Sequence, residues 1–488
     1  MNILSSITFT LHAATQASVY YYPLIFLGVV AFAMLALGIR GIDKKVYAGI
    51  TFAAVLISMI MILLNPYDEI VIGNNSLLFN KFTIFFVIVL IISVLYIIFP
   101  ALRGLKSKPE IFYATILFVL IGMLVSAFSY NLIIIFVAFE AVSLGTYVLA
   151  GYGKQKRHLE ASAKYFFTGT IGTAFTVFGL SFFYTATGTF SLTSEVVSSS
   201  PAMLIALIFL LIGFGFKLAI FPMHQWAIDA YDGTENSVSA FLSTGTKILA
   251  FMILLKIFLV GFSGDYHYVF YLFVILSVFS MTYANLAALS QNNLKRLLAY
   301  SSVAQAGYLI LVVALVGDTG IGNVAYVAVA AGMFYSLVYI FMKGGSFLAM
   351  NLVNKESVSI SDVSGLARKS PVTALSFAIL LMGLAGIPFT GGFTAKYYLF
   401  LSLIEGNLWW LAVIAILNSA ISVFYYFRVI MFMFWKEPTA ESNFNLTPYS
   451  KAPVIVSAVI MVALFFFFYL LPTLNGIAPG LFATMGGI

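Results

Sequence analysis

The chain contains no cysteine, which excludes disulfides, iron–sulfur clusters and thiolate metal sites. Histidine is nearly as scarce. There are 4, His12, His158, His224 and His267, and none pair at the i, i+3 or i+4 spacing of helical metal ligands. No GxxxxGK[ST] phosphate loop is present, so direct use of ATP is not expected. Charge is sparse too, with Asp, Glu, Lys and Arg making up 8% of the 488 residues. The expectation is a chain with no metal, cofactor or redox centre of its own. Any energy it handles then comes from an ion gradient or a partner.

What remains is apolar. Hydrophobic residues make up 62% of the chain, and no soluble fold exposes so little charge, so this is a polytopic membrane protein. Apolar runs of about 20 residues recur, the length that crosses a core of roughly 30 Å as a helix. They are too long and too uniformly apolar for barrel strands, which alternate over about 10 residues. The expected fold is all-α with about fourteen spans. These lie near 19–38, 46–64, 82–101, 111–128, 131–151, 163–187, 203–224, 237–261, 267–289, 298–316, 323–350, 372–403, 408–434 and 452–472. No connection exceeds roughly 20 residues, which leaves no room for a soluble domain.

The net charge of +7 does not gather into a face that would read nucleic acid. The cations follow membrane topology instead. Arg40, Lys44 and Lys45 follow span one, Arg103, Lys106 and Lys108 follow span three, and Lys154, Lys156 and Arg157 follow span five. Lys295 and Arg296 follow span nine; Lys355, Arg368 and Lys369 follow span eleven; Lys436 and Lys451 follow span thirteen. The alternation predicts a multi-pass protein of the cell membrane with odd-numbered loops in the cytoplasm and both termini outside. The loop after span seven is the exception, being acidic at Asp229, Asp232 and Glu235. The first cation is Arg40, so residues 1–18 lack the basic region of a signal peptide.

Two spans are interrupted. Pro222 removes a helix hydrogen bond near the end of span seven, and Gly386-Ile387-Pro388 with Gly391-Gly392 breaks span twelve near its middle. Broken helices five spans apart point to two inverted five-helix repeats. These would be residues 110–262 (spans four to eight) and 263–435 (spans nine to thirteen). A three-helix extension, 1–109, precedes them and a final helix, within 436–488, follows.

Ionisable groups at bilayer depth cost about 2.5–3.5 kcal/mol on insertion scales, so they are functional candidates by default. Glu140 (FVAFEAVSL) is the one carboxylate placed deep in a span, with a water-capped helix end as the plainer reading. Lys217 (GFGFKLAIFP) and Lys247 (STGTKILAF) stand inside apolar runs and compete with snorkelling cations. A Lys217–Glu140 pair that opens and closes would gain and lose a proton near neutral pH, as a proton relay requires. Two charges about 10 Å apart at an effective dielectric near 20 interact by roughly 1.7 kcal/mol, enough for one site to drive the next.

Lys396 (GIPFTGGFTAK) is a candidate exit site beside carbonyls freed by the break, or a lysine that caps them. Lys343 (YIFMKGGSF) could link the halves or simply pack by its glycines. Lys164 is a secondary candidate near a span end, whereas Lys256 and Arg428 read as interface anchors. His224 (FPMHQW) is a proton-wire member or a helix-end donor. Gln305, with Ser301 and Ser302 (AYSSVAQAGY), could order water or join helices.

Several of these strings are familiar. LEASAKYFFTG, GFGFKLAIFPMHQWAIDAYDG, NLAALSQNNLKRLLAYSSVAQAGY and GLARKSPVTALSFAILLMGLAGIPFTGGFTAKYYLF resemble the antiporter-like subunits of respiratory complex I, most of all its N-type subunits. The resemblance spans about residues 110–435. It implies a proton-pumping membrane-arm subunit of an NADH–quinone or F420H2-type oxidoreductase with no redox centre of its own. Flavin, iron–sulfur clusters and quinone would sit in partner subunits, and related antiporter-like subunits would be neighbours.

By matching motif the resemblance makes Glu140 and Lys217 the span-five/span-seven pair, Lys247 the central relay lysine and Lys396 the terminal one. Where the family's span-ten motif carries histidine, this chain has Gln305. Lys343 is a feature more of the L- and M-type subunits. The competing expectations are a subunit of a multi-subunit Na+/H+ antiporter or membrane-bound hydrogenase, and a scaffold whose buried charges only pack.

Overall fold

The structure is a computed structural model that describes residues 20–65, 70–72, 76–105, 108–192, 200–355, 357–438 and 444–485. The stretch 1–18 read for a signal peptide, His12 and Lys106 lie outside the described residues.

The chain is helical almost throughout. It runs through α1 (Tyr22–Leu37), α2 (Lys44–Leu63), α3 (Lys81–Ile98), α4 (Pro109–Phe128), α5 (Leu132–Gly151), α6 (Lys156–Thr187) and α7 (Pro201–Leu218). Short helices α8 (Gln225–Gly233) and α9 (Asn236–Ser243) lead to α10 (Gly245–Lys256). Then come α11 (Tyr266–Leu289), α12 (Leu294–Leu309), α13 (Leu311–Thr319), α14 (Asn323–Tyr339), α15 (Gly345–Leu348) and α16 (Leu366–Lys369). Two half-helices, α17 (Pro371–Ala385) and α18 (Gly391–Glu405), precede α19 (Trp409–Trp435), α20 (Pro448–Phe466) and α21 (Leu470–Ile477). One small antiparallel hairpin pairs β1 (Ile70–Ile72) with β2 (Leu77–Phe79).

Among the described residues, 13 helical stretches are long and apolar enough to cross a membrane. Their starts are written in the sequence. Proline opens α1, α4, α7, α17 and α20, where its missing N–H costs nothing. Polar caps start others: Asn80 and Thr83 form a reciprocal capping box on α3, and Asn131 accepts from the Ile133 and Ile134 N–H groups of α5.

The apolar cores of the stretches Asn236–Gly261 and Leu294–Thr319 are wholly buried, whereas those of Tyr22–Arg40 and Lys156–Thr187 are mostly unburied. Helices apolar on every side are the ones that can form such an axis. Lys247 and Gln305 belong to that axis.

Several boundaries differ from expectation. Span six begins at Lys156 rather than 163, because its charged first turns continue the helix out of the apolar zone. Span seven does not reach residue 224. It ends at Leu218, and Ala219 turns left-handed at φ 57°. Pro222 therefore lies in a connector, with its Phe221–Pro222 bond cis, and of the expected acidic loop Asp229 and Asp232 lie in helix α8 while Glu235 caps α9. The last span runs Pro448–Phe466 rather than 452–472.

The break in span twelve is where it was expected, with Gly386 left-handed at φ 83°. The half-helices meet closely there, and a Cβ on Gly392 would collide with the Gly383 carbonyl oxygen.

Candidate functional site

Lys217 ends α7, where a cation complements the negative end of the helix. Its side chain is buried, and its Nζ makes no hydrogen bond. Three rings surround it: the ammonium stands 4.6 Å from the Tyr165 centroid, 4.8 Å from Tyr147 and 5.9 Å from Phe139. The ring faces stabilise the charge by cation–π attraction. Glu140, on α5, does not pair with it. Its half-buried carboxylate accepts a 3.0 Å hydrogen bond from Thr173 Oγ1 of α6. The expected Glu140–Lys217 pair is therefore not formed in the structure.

The wall of the Lys217 cage continues inward. Tyr165 stacks on Trp226 at 4.4 Å and 9°, and Trp226 meets Tyr231 edge-on at 5.8 Å. Trp226 is anchored by Nε1 donating to Phe216 O at 2.8 Å. On the far side, Lys247 Nζ lies 6.0 Å from the Tyr231 ring.

Beyond this aromatic layer the bonding is polar. Lys247 Nζ donates to Ser302 O at 3.0 Å, and the Ser302 hydroxyl pairs with Tyr339 OH at 2.7 Å. Lys343 Nζ donates to Ser301 Oγ at 2.7 Å, and Ser301 in turn pairs with Tyr426 OH. Gln305 accepts from Tyr335 OH and donates through Nε2 to Leu384 O at 3.0 Å. Lys396 Nζ donates to the same carbonyl at 3.0 Å, to Ala385 O at 3.2 Å and to Ser419 Oγ at 2.9 Å. Span ten (Leu294–Thr319) supplies Ser301, Ser302 and Gln305, so it bridges the three lysines. Lys396 also caps the carbonyls of broken α17, as its plainer reading expected.

His224 joins none of this. It is buried, stacked on Phe221 and edge-on to Tyr283 at 5.0 Å, and neither ring nitrogen has a partner. Lys164 stands at the water-facing end of α6, bonded to Glu160 at 2.8 Å and 3.6 Å from Asp229. The structure gathers Lys247, Lys343, Gln305 and Lys396 in hydrogen-bonded groups along span ten, with Lys217 across an aromatic partition.

The acidic exception after span seven has a structural answer. Asp232 pairs with Arg157 at 2.5 Å, and Asp229 with Arg296 at 3.2 Å. These carboxylates sit among cations of the flanking segments.

Two lysines behave otherwise than their positions suggested. Lys256, expected to anchor at an interface, is fully enclosed. It donates to the Ala127 and Ser129 carbonyls at the end of α4, with its ammonium 4.4 Å from the Tyr130 ring. Lys295, read as a loop cation, is buried and donates to Thr234 O at 2.7 Å. Its NNLKR context holds no signal for burial. The Tyr335, Tyr339 and Tyr426 hydroxyls were also passed over, although a paired Tyr425-Tyr426 inside a span was a legible hint. Among the described residues, no three His, Asp or Glu side chains converge as a metal would require.

Residues 129–422 match the family described as NADH:quinone oxidoreductase/Mrp antiporter, transmembrane. The F(420)H(2) dehydrogenase subunit N of Methanosarcina mazei is 38% identical over 371 residues, covering 72% of this chain and 74% of that protein. The NADH-quinone oxidoreductase subunit N of Trichlorobacter lovleyi is 36% identical over 406 residues, covering 80% and 81%. A chain of respiratory complex I from Thermus thermophilus superposes with a TM-score of 0.81 at 30% identity, over 93% of this chain and 99% of that one. A chain of the Mrp complex from Dietzia sp. DQ12-45-1b shares the fold, with a TM-score of 0.82 at 21% identity over 95% and 97%.

Proposed function

From the premise that this chain belongs to the NADH:quinone oxidoreductase/Mrp antiporter membrane family, we propose that it is an N-type subunit of a redox-driven proton pump. The complex would oxidise NADH or F420H2 and reduce a quinone-type acceptor in partner subunits. Flavin and iron–sulfur centres belong to those partners. This chain contributes the buried lysine relay.

The observation that carries the reading is the polar bonding that gathers Lys247, Lys343 and Lys396 along span ten. A structural lysine needs one capped carbonyl. A set of bonds that gathers three enclosed cations along one helix and reaches the break in span twelve suits charge transfer better, because each ammonium feels its neighbour's protonation across a poorly screened interior. Lys217, with no anion beside it, is the member whose charge state responds to Glu140.

The proposed cycle starts with the Glu140–Lys217 couple closing. The ion pair stabilises the Lys217 charge, and when it opens again that charge, no longer offset by Glu140, disfavours a second positive charge at Lys247. The Lys247 proton then moves toward Lys343 and Lys396 through hydroxyls of Ser302, Tyr339, Ser301 and Tyr426, with water completing the gaps. The two broken halves, 110–262 and 263–435, would act as inverted repeats, with the basic loops in the cytoplasm.

Glu140 also supports a partner at its face. The carboxylate is half-buried between exposed Val137 and Leu144 on α5. Lipid there would solvate it poorly, so a neighbouring membrane subunit that covers this face is the arrangement we infer.

The test is electron-donor-driven proton uptake by the isolated complex in vesicles. K217M and K247M should abolish it while the complex stays assembled. Pumping at the original rate in both variants would end the relay reading. Because the family description also takes in Mrp antiporters, Na+/H+ exchange is the second reading, and sodium-stimulated proton flux without any electron donor would establish it in place of the first.

A further inference from the structure

On the face that carries the basic loops, a polar cavity of about 330 Å³ opens between the ends of several spans. At roughly 30 Å³ per liquid water, that is space for about ten. Arg103 closes span three, His158 starts span six, Lys295 starts span ten and Lys355 follows span eleven; all four line it. Among the described residues that line it stands one carboxylate, Glu235, at the entrance to α9. Gly104 makes room for it, since a Cβ there would run into the Glu235 carboxyl. The relay described above uses none of these groups.

Glu235 has a local structural duty. Its Oε2 accepts from the N–H groups of Ser237 at 2.8 Å and Val238 at 3.4 Å, which caps α9. Capping requires only an oxygen, and asparagine or serine would serve. The position offers more, because α9 leads directly to Lys247. Twelve residues at 1.5 Å each make about 18 Å of helix.

That path is lined with hydroxyls. Ser239, Ser243, Thr244 and Thr246 are all buried. Ser239 pairs with Thr234 Oγ1 at 2.7 Å, and Thr234 O is the acceptor of Lys295. Thr246 donates to Leu242 O at 2.7 Å, the carbonyl that also receives Tyr231 OH beside Lys247.

We propose that this cavity is the aqueous mouth of the relay and that the Glu235 carboxylate collects protons there for Lys247. A hydronium in the cavity gives its proton to the carboxylate and leaves as water. The carboxylic acid passes a proton to the hydroxyls of α9 and intervening water, each of which gives up one proton as it accepts another. The neutral Lys247 amine takes the last. Burial pushes the Glu235 carboxyl above its ordinary range, which suits a group that must hold a proton briefly near neutral pH. The Lys295 ammonium and the Arg103 guanidinium act on it through space and keep the carboxylate available between transfers.

The inference rests on the proton-translocating reading, and the experiment separates the two. The complex is isolated with this chain intact, reconstituted into vesicles and followed by a pH-sensitive dye during electron transfer. A complex with Glu235 unchanged that moves no protons would sink the translocation reading, and with it the mouth. With pumping established, E235N keeps a capping oxygen but cannot carry a proton, so uptake should slow about tenfold or more. E235D should restore most of it with a displaced pH profile. E235N pumping at the unaltered rate would overturn the mouth while leaving the relay standing.

The absence of cysteine supplies a second measurement that does not depend on that variant assembling. Gln155 lines the cavity, and in Q155C a membrane-impermeant sulfonated thiol reagent on the basic face should slow uptake more than it slows the parent complex, whose iron–sulfur partners bring cysteines of their own. Fully labelled complex that pumps like unlabelled complex would overturn the proposal.

Discussion

Gln305 and Lys396 share one acceptor: the Gln305 Nε2 and the Lys396 Nζ each donate to the Leu384 carbonyl at 3.0 Å. That carbonyl is free because α17 stops at Ala385. The helix break, the amide and the terminal lysine therefore form one unit. Replacing Gln305 by leucine should leave the buried Tyr335 hydroxyl without its acceptor, at a cost of about 1–3 kcal/mol. A lowered thermal midpoint of the complex together with slower proton uptake is the expected outcome. An unchanged midpoint would show that Tyr335 finds another partner.

Lys217 and Lys396 should respond oppositely to removal. K217M deletes an ammonium that makes no hydrogen bond, so stability should hold or rise while proton uptake is lost. K396M removes an ammonium that makes three hydrogen bonds, each worth about 1.5–3 kcal/mol at a charged group, while Gln305 still holds the Leu384 carbonyl and Ser419 the Ala385 carbonyl, so the midpoint should fall. Comparing thermal midpoints of the two assembled complexes checks this. Equal destabilisation would mean that Lys217 has a partner in the assembly.

Lys256 is expected to be a cap rather than a carrier. Its ammonium satisfies the carbonyls of Ala127 and Ser129 at the buried end of α4, which helix geometry otherwise leaves open. K256M should lower the thermal midpoint and leave the proton-to-electron ratio unchanged. A fall in that ratio with stability intact would place Lys256 in the relay.

Asp362 should confer acid sensitivity on one loop. Burial alone would push its carboxyl up, but the Lys355 ammonium at 2.7 Å and the Ser359 hydroxyl and N–H hold it below the ordinary range. A carboxyl whose folded value is depressed contributes stability above its unfolded value, near 3.9, and loses it as pH falls toward the folded one. The loop is docked on span ten through Leu294 N–H to Val358 O and Ile360 N–H to Asn292 O. Amide exchange over 358–363 should therefore quicken on acidification below about pH 4. D362N should show fast exchange at every pH, and acid sensitivity that survives in D362N would assign it elsewhere.

Much of this was legible before any coordinates. The apolar runs, the proline and glycine breaks at Pro222 and Pro388, and the lysines inside otherwise apolar stretches are properties of the chain itself. A bilayer-length run has one economical conformation, and a charge inside it has few excuses.

The sequence by itself determined the helical membrane class, the family and the positions of Lys217, Lys247, Lys343 and Lys396. Only the tertiary structure decided that Glu140 bonds Thr173 rather than Lys217, that Tyr165 and Trp226 stand between Lys217 and Lys247, and that Lys256 and Lys295 are enclosed. Periodicity reports how apolar a helix is, but not which neighbours close over its ends. A lysine near the end of a span can reach water or be roofed by another helix, and the chain around it reads the same in both cases.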